Sequence, residues 1–309
     1  MKNTLSQINE QVANSLDAFV SREEEKYHLE IKKTAEKIAN NSGIKIVLLA
    51  GPSGSGKTTT AHLLCGYLKD FGKSSQVVSL DDFYLSAADA PILPDGRRDT
   101  ESVNALDVPT LEKCMKELIT SGRTQMPIFD FTKSARSEQT KTVDITNGGI
   151  AVVEGLHALN PRITEHLERE SILKIYISVS NSISYGEGNK LLSSRQIRLM
   201  RRALRDEIFR NSDIKRTLHL WTGVVEAEEK YLYAYKPMAD IVLATLHGYE
   251  VGVYRERFLQ MAKQADKTYE NYDYFMKTAA AVELFIPVPQ ESVPASSLIR
   301  EFIGLKKPL

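Results

Sequence analysis

Cysteine is scarce. The chain of 309 residues has two, Cys65 and Cys114, 49 positions apart. That excludes a disulfide framework or a cysteine-rich zinc site and fits two small thiols in a reducing compartment. Charge of one sign is also missing: 40 basic side chains face 40 acidic ones. A neutral chain is not built to coat nucleic acid or an anionic membrane. No window approaches 18 uncharged apolar residues, so no membrane span is expected. The first residues, MKNTLSQINEQVANSLDAF, lack the apolar core and small-residue cleavage site of a secretory signal. A soluble, cytoplasmic chain is expected. What is present is a 42% hydrophobic composition, enough for a packed core. The length allows one large or two ordinary domains, at roughly 100–200 residues each.

The apolar pattern alternates between two kinds of segment. Ile44–Ala50, Gln76–Leu80, Gly149–Glu154, Leu173–Val179, Ile241–Thr245 and Val282–Pro287 are short apolar runs, read as buried strands. Between them lie helical patterns at about 57–69, 109–120, 195–210 and 214–233. This alternation predicts an α/β fold, a parallel sheet with helices on both faces. Residues 1–42 read as one or two surface helices stopped at Asn40-Asn41-Ser42-Gly43. Residues 85–105 and 180–194 read as loops, the second mobile.

Gly51-Pro-Ser-Gly-Ser-Gly56-Lys57-Thr58 fits G-x-x-x-x-G-K-[ST] at each defined position, between a strand and a helix. In such a loop, glycines let the backbone curl and aim N–H groups at phosphate oxygens. The helix N-terminus adds a favourable dipole. Lys57 can reach the terminal phosphates and Thr58 can ligate Mg²⁺. Binding of a nucleoside triphosphate is therefore the firmest expectation.

Its use is less direct. A GTPase would carry N-K-x-D and D-x-x-G; the nearest text, Asn189-Lys190-Leu191-Leu192, lacks the aspartate. A kinase acting on a small molecule is the competing class. Asp81 and Asp82 follow the second strand, where an open parallel sheet exposes its ligand crevice. Asp81 reads either as a base for an attacking hydroxyl or as a turn aspartate. Glu154, at another strand end, reads as a Mg²⁺-associated or a structural carboxylate. Residues 195–216 hold seven Arg and one Lys against three acids. Arg198, Arg201, Arg202 and Arg205 share a helix face, suited to stabilising charge on a moving phosphoryl group. The alternative is a solvated helix or an RNA-binding stripe, against which the neutral composition and lack of interleaved aromatics count. Of the six histidines (28, 62, 157, 166, 219, 247), His157 alone lies near the crevice, as a substrate contact or a structural residue. Trp221 and Tyr231, Tyr233 and Tyr235 read as core or as a subunit interface, which leaves a homo-oligomer open.

Taken together, GPSGSGKTT (51–59), SLDDFY (79–84), MPIFDFTKSAR (126–136), VVEGLHAL (152–159) and RLMRRALRD (198–206) resemble the uridine kinase/phosphoribulokinase family of P-loop kinases. LNPRI (159–163), the stretch 218–250 and SLIREFIG (297–304) resemble its bacterial uridine kinase-like branch, here without synthetase-type N-terminal domains. The resemblance implies a P-loop NTPase fold with a five-stranded parallel sheet and a helical lid at about 180–212. The core domain would span 43–287, between an N-terminal helical segment (1–42) and a C-terminal tail (288–309). It implies ATP and Mg²⁺ as cofactors and a small-molecule acceptor, the 5′-hydroxyl of a nucleoside such as uridine or cytidine. Position by position, Gly51, Ser53, Gly54, Ser55, Gly56, Lys57, Thr58 and Thr59 match the nucleotide cradle. Asp81 matches the general base and Glu154, with Thr58, the Mg²⁺ site. Tyr84, Phe129, Phe131 and Arg136 match the acceptor pocket. Lys57, Arg201 and Arg205 match charge-stabilising groups, Arg198 and Arg202 nucleotide-binding ones.

Three positions depart from that pattern. H-P-D-A-F-D is replaced by Ser102-Val103-Asn104-Ala105-Leu106-Asp107, putting Asn104 where an acid would hold ribose hydroxyls. A pyrimidine-facing Tyr is Phe129, and a base-reading His is Ser134. Lost hydrogen bonds to a substrate alter discrimination steeply. The expectation is thus a uridine/cytidine kinase-like enzyme, with two alternatives: transfer to another nucleoside or sugar, or a catalytically silent nucleotide-binding regulator.

Overall fold

The computed structural model describes residues 4–92, 96, 98–99, 101–180, 182–186 and 189–304. Parts of the expected loop 85–105, lid and C-terminal tail therefore lie outside the described residues. The elements run as follows: α1 (Leu5–Ala39), β1 (Ile46–Ala50), α2 (Lys57–Asp70), β2 (Ser75–Ser79), α3 (Val108–Ser121), β3 (Arg123–Asp130), β4 (Ala135–Asp144), β5 (Ile150–Glu154), α4 (Pro161–Thr164), β6 (Ile172–Ser178), β7 (Ile183–Ser184), β8 (Lys190–Leu192), α5 (Ser194–Arg210), α6 (Ile214–Tyr231), β9 (Ile241–Ala244), α7 (Glu250–Gln264), α8 (Tyr272–Val282) and α9 (Arg300–Ile303).

The main sheet has five strands in the order β2-β5-β1-β6-β9, all parallel. β1 and β5 are buried along their whole length, which is why they read as unbroken apolar runs. Alternate residues split the core in two. Val47, Leu49, Val152, Ile175 and Ile177 face one side, packed with α1, α2, α5 and α7. Ile46, Leu48, Ala151, Val153 and Tyr176 face the other, against α3 and the β3–β4 hairpin. No helix among the described residues is long and apolar enough to cross a membrane.

Four features depart from the sequence expectations. The N-terminal segment is one helix kinked at Ser15, and it is not merely a surface element. Its stripe Ile8, Val12, Phe19, Tyr27, Ile31, Ala35 and Ile38 joins the core, where a side chain such as Ile31 contributes roughly 1.5–3 kcal/mol on full burial. Val282–Pro287 is not a strand. It is the end of α8 followed by turns, and its buried Phe285 plugs the core. Residues 123–144 form an antiparallel hairpin outside the main sheet, with a register shift between Pro127 and Phe129. Part of the expected loop 180–194 is a second small hairpin, β7–β8.

α5, which carries the arginines, packs against α6, α7 and α9. A Ser193/Gln196 capping box starts it and Asn211, at φ 47°, ends it. Leu298 and Phe302, from the last described stretch, share the core with α1 and the sheet.

Candidate functional site

The loop between β1 and α2 is the centre. Its curl depends on Gly54 (φ 72°) and Gly56 (φ 86°), a left-handed region costly for other residues. Gly56 is the N-cap of α2, so the freed N–H groups and the helix dipole point into the loop's concave side. The Ser55 hydroxyl is buried and, among the described residues, has no hydrogen-bond partner. Lys57 Nζ donates to the Pro52 carbonyl (3.3 Å), folding back over the loop.

Two strand ends bring oxygen ligands beside it. Thr58 Oγ1 donates to Glu154 Oε1 (3.4 Å), and Ser79 Oγ donates to the same oxygen (3.3 Å). β2 and β5 are neighbours in register, Ser79 opposite Glu154, which is why these groups meet. A set of one carboxylate and two hydroxyls is a hard, all-oxygen donor set that fits Mg²⁺. Asp81 follows Ser79 in a short 3₁₀ turn, open to the crevice. Its carboxyl is pushed up by burial, pulled down by Lys57, and pushed up again by Asp82. Glu154 is likewise pushed up by burial, with Lys57 pulling down and Asp81 pushing up. Lys57, Asp81 and Glu154 thus form one electrostatic cluster. Asp82 does something else. It pairs with Lys141 and accepts from the Phe129 N–H (3.3 Å), pinning the hairpin beside the crevice.

On the acceptor side, Tyr84 meets Phe129 edge-on (6.0 Å), and Phe129 meets Phe131 (5.0 Å). These three rings gather as expected; Phe131 is mostly exposed. Arg136 differs from expectation. Its guanidinium donates to Asp107 (2.8 Å) and to the carbonyls of Tyr84 (3.3 Å) and Phe83 (3.3 Å). It clamps the hairpin to the loop rather than reaching toward a ligand. Asn104 is also engaged, its amide oxygen accepting from Arg162. Glu101, on the same loop, is a carboxylate that sequence reasoning missed, close enough to Arg202 and Asp81 for both to shift it. Burial pushes Glu101 up and Arg202 pulls it down, while Asp99, Asp81 and Glu228 push it up. The Asp99 carboxylate, bonded to the backbone N–H groups of Glu101 (3.2 Å) and Ser102 (2.9 Å), shapes the loop. His157 is 2% exposed and its Nε2–H donates to the Glu101 carbonyl (2.9 Å). Burial holds it at about 4, so it is neutral at pH 7. It supports the loop from behind.

The arginines divide. Arg198 and Arg201 are buried against carboxylates, Glu228 (2.7 Å) and Glu250 (2.8 Å). Arg202 donates to Ser53 Oγ (3.0 Å) and lies beside Asp206 (3.3 Å). Arg205 lies between Asp206 (3.9 Å) and Glu301 (3.6 Å). Arg210, not singled out in the sequence, also pairs with Asp206 (3.1 Å) and is close enough to Asp81 to lower its pKa. Thr59 points away from the cradle and donates to Glu301 (2.6 Å).

A strand-loop-helix phosphate cradle at the carboxyl edge of a parallel sheet, beside two acids and a row of arginines, defines a P-loop kinase. The family model described as Phosphoribulokinase / Uridine kinase family matches residues 46–251, and the chain belongs to that family. The chain is 25% identical over 199 residues to a uridine kinase of Lactobacillus helveticus, covering 64% of this chain and 85% of that one. It is 29% identical over 161 residues to a uridine kinase of Deinococcus deserti, covering 52% of this chain and 68% of that one. A solved structure described as a possible uridine kinase from Bacillus stearothermophilus aligns over 65% of this chain and 88% of its own, at 19% identity and a TM-score of 0.44.

Proposed function

We propose that this kinase transfers the terminal phosphoryl group of ATP to a hydroxyl of a small polyol, a nucleoside 5′-hydroxyl first among them. The observation that carries this is the convergence on Glu154 of Thr58, beside the glycine cradle, and Ser79, at the end of the strand that leads into Asp81. Phosphoryl transfer needs mostly positioning and charge stabilisation. The cradle's N–H groups and Lys57 hold the donor's phosphates. Thr58 and Glu154 would hold Mg²⁺, which supplies charge neutralisation on those phosphates when bound. Asp81 accepts the proton of the attacking hydroxyl; burial raises its basicity, and Lys57 nearby favours its ionised form. Glu101 is the carboxylate suited to bind neighbouring hydroxyls of the acceptor, a role the sequence assigned to Asn104. Tyr84, Phe129 and Phe131 wall the pocket. Arg202, Arg205 and Arg210 meet the charge that develops on the moving group. Both reactants are intracellular metabolites, which supports a cytoplasmic location.

Phe129, with no hydroxyl to offer a pyrimidine, favours a second reading in which the acceptor is another nucleoside or sugar. A panel of nucleosides and sugars with ATP depletion as readout separates these. Uridine or cytidine turnover supports the first reading, and turnover of others alone the second. ATP binding without transfer to any acceptor would mark a silent regulator. Asp81→Asn tests the base: kcat should fall about 10²–10⁴-fold with ATP affinity kept. Near-normal turnover would refute that assignment.

A further inference from the structure

Arg198 and Arg201 lie on the same helix face as Arg202 and Arg205, yet both are committed to protein partners, Arg201 with every donor. Arg201 is fully buried. Its Nε donates to Glu250 (2.9 Å). Nη1 donates to the Gly54 carbonyl (3.1 Å) and Thr245 Oγ1 (3.3 Å), and Nη2 to the Thr245 carbonyl (2.7 Å) and to Glu250 (2.8 Å). A guanidinium has five N–H groups in a fixed fork, and here all are engaged. The flat face is covered by Phe302, 5.0 Å from its ring centroid. Arg198 Nη1 donates to the Ser53 carbonyl (3.0 Å) and Glu228 (2.7 Å), and Nη2 to the Tyr233 hydroxyl (3.2 Å). Glu228 in turn accepts the Ser53 N–H (2.8 Å). By contrast the buried Nε atoms of Arg202 and Arg205 have no hydrogen-bond partner among the described residues.

We propose that Arg198 and Arg201 are positioning residues: through the Glu228 and Glu250 pairs they grip the backbone of Ser53 and Gly54 and set the cradle's shape, leaving phosphate contact to their neighbours. The proposal rests on the nucleotide-binding reading above. Arg198 and Glu228 hold both backbone groups of Ser53 between them, and Arg201 holds the next carbonyl. α5 and the cradle are thereby fastened through two buried ion pairs, each costly to break singly.

Calorimetric titration of the full chain with ADP·Mg²⁺ tests this, with thermal melting of each variant as a folding control. Glu228→Gln is the discriminating change. If Arg198 served the phosphates directly, freeing it from Glu228 would leave affinity equal or better. If it acts through Ser53, Glu228→Gln weakens ADP about tenfold or more. Arg198→Lys, which keeps the charge but not the fork, should weaken it similarly. The double variant should be no weaker than the worse single, since both changes cut one linkage. Unchanged or tighter ADP binding by Glu228→Gln, or full affinity in Arg198→Lys, would overturn the proposal while wild-type binding upheld the kinase reading. A wild-type chain that fails to bind ADP·Mg²⁺ would overturn both. Should Glu228→Gln fail to fold, Glu228→Asp, which keeps the charge but draws it back from Arg198 and the Ser53 N–H, takes its place with the same two outcomes.

Discussion

Replacing Gly56 by alanine tests the cradle's construction at its tightest point. Two separate costs follow from the geometry. The residue sits at φ 86°, where a side chain costs roughly 1–2 kcal/mol. The new Cβ would also fall 2.3 Å from Leu298 Cδ1 and 2.9 Å from its Cγ. Leu298 is fully buried, so it cannot swing into solvent, and such overpacking costs about 1–3 kcal/mol. The sum is roughly 2–5 kcal/mol, read from urea denaturation of Gly56→Ala against wild type. Leu298→Ala separates the terms. Alone it opens a cavity and costs about 2–5 kcal/mol. In the double variant the alanine methyl finds that space, so the combined loss should fall short of the sum by about 1–3 kcal/mol. The dihedral cost would remain, and ADP binding would stay weak because the loop's curl is altered. Strict additivity, or a Gly56→Ala loss below about 0.5 kcal/mol, would show that the segment carrying Leu298 does not press on the cradle.

Further outcomes follow from charge. Asp81 and Glu154 are both pushed up on folding, chiefly by burial, so the cost of holding their charges is absent below the ordinary carboxylate range and fully felt above the raised values. Asp81→Asn should therefore melt higher than wild type at pH 7, with the gain shrinking as pH falls toward about 4; a gain independent of pH would contradict this. The same shift places the acid limb of kcat/KM above the ordinary Asp value of 3.8, measurable as a rate profile in constant ionic strength. His157, held at about 4, should show an NMR titration midpoint near there; since the unfolded chain takes up that proton first, its support is present above about 6.5 and lost as pH falls. Arg136→Met should cost about 1–3 kcal/mol and raise the acceptor KM more than that for ATP, by loosening the hairpin that bears Phe129. Equal effects on both KM values would argue against its clamping role.

The inner strands of the sheet were legible because burial on both faces leaves mostly apolar residues to read, as in Ile150–Glu154. The cradle was legible because its conformation demands glycine at fixed offsets. Val282–Pro287 misled for the same reason that strands succeed: a short apolar run has no period of its own, and Phe285 is buried from a turn. The hairpin at 123–144 was missed because its exposed strand β4 is largely polar, giving weak alternation. Partnership was the least visible property. Nothing in the spacing of Arg198, Arg201, Arg202 and Arg205 tells which face a crevice, because Glu228 and Glu250 come from distant segments. Glu101 and Asn104 sit three apart on one loop, and only the packing shows that Arg162 takes the Asn104 oxygen while His157 holds the Glu101 backbone.

The cradle near residue 56 leans on groups made long after it in synthesis. Thr59 bonds to Glu301, and Glu24 accepts from Ser297, 242 and 273 positions away. A ribosome releases the phosphate loop when most of its supports are still unmade, so the nascent protein cannot finish its nucleotide site strand by strand. Maturation of that site waits for the codons around 297–301, and chains stopped short of them carry a phosphate loop without its backing.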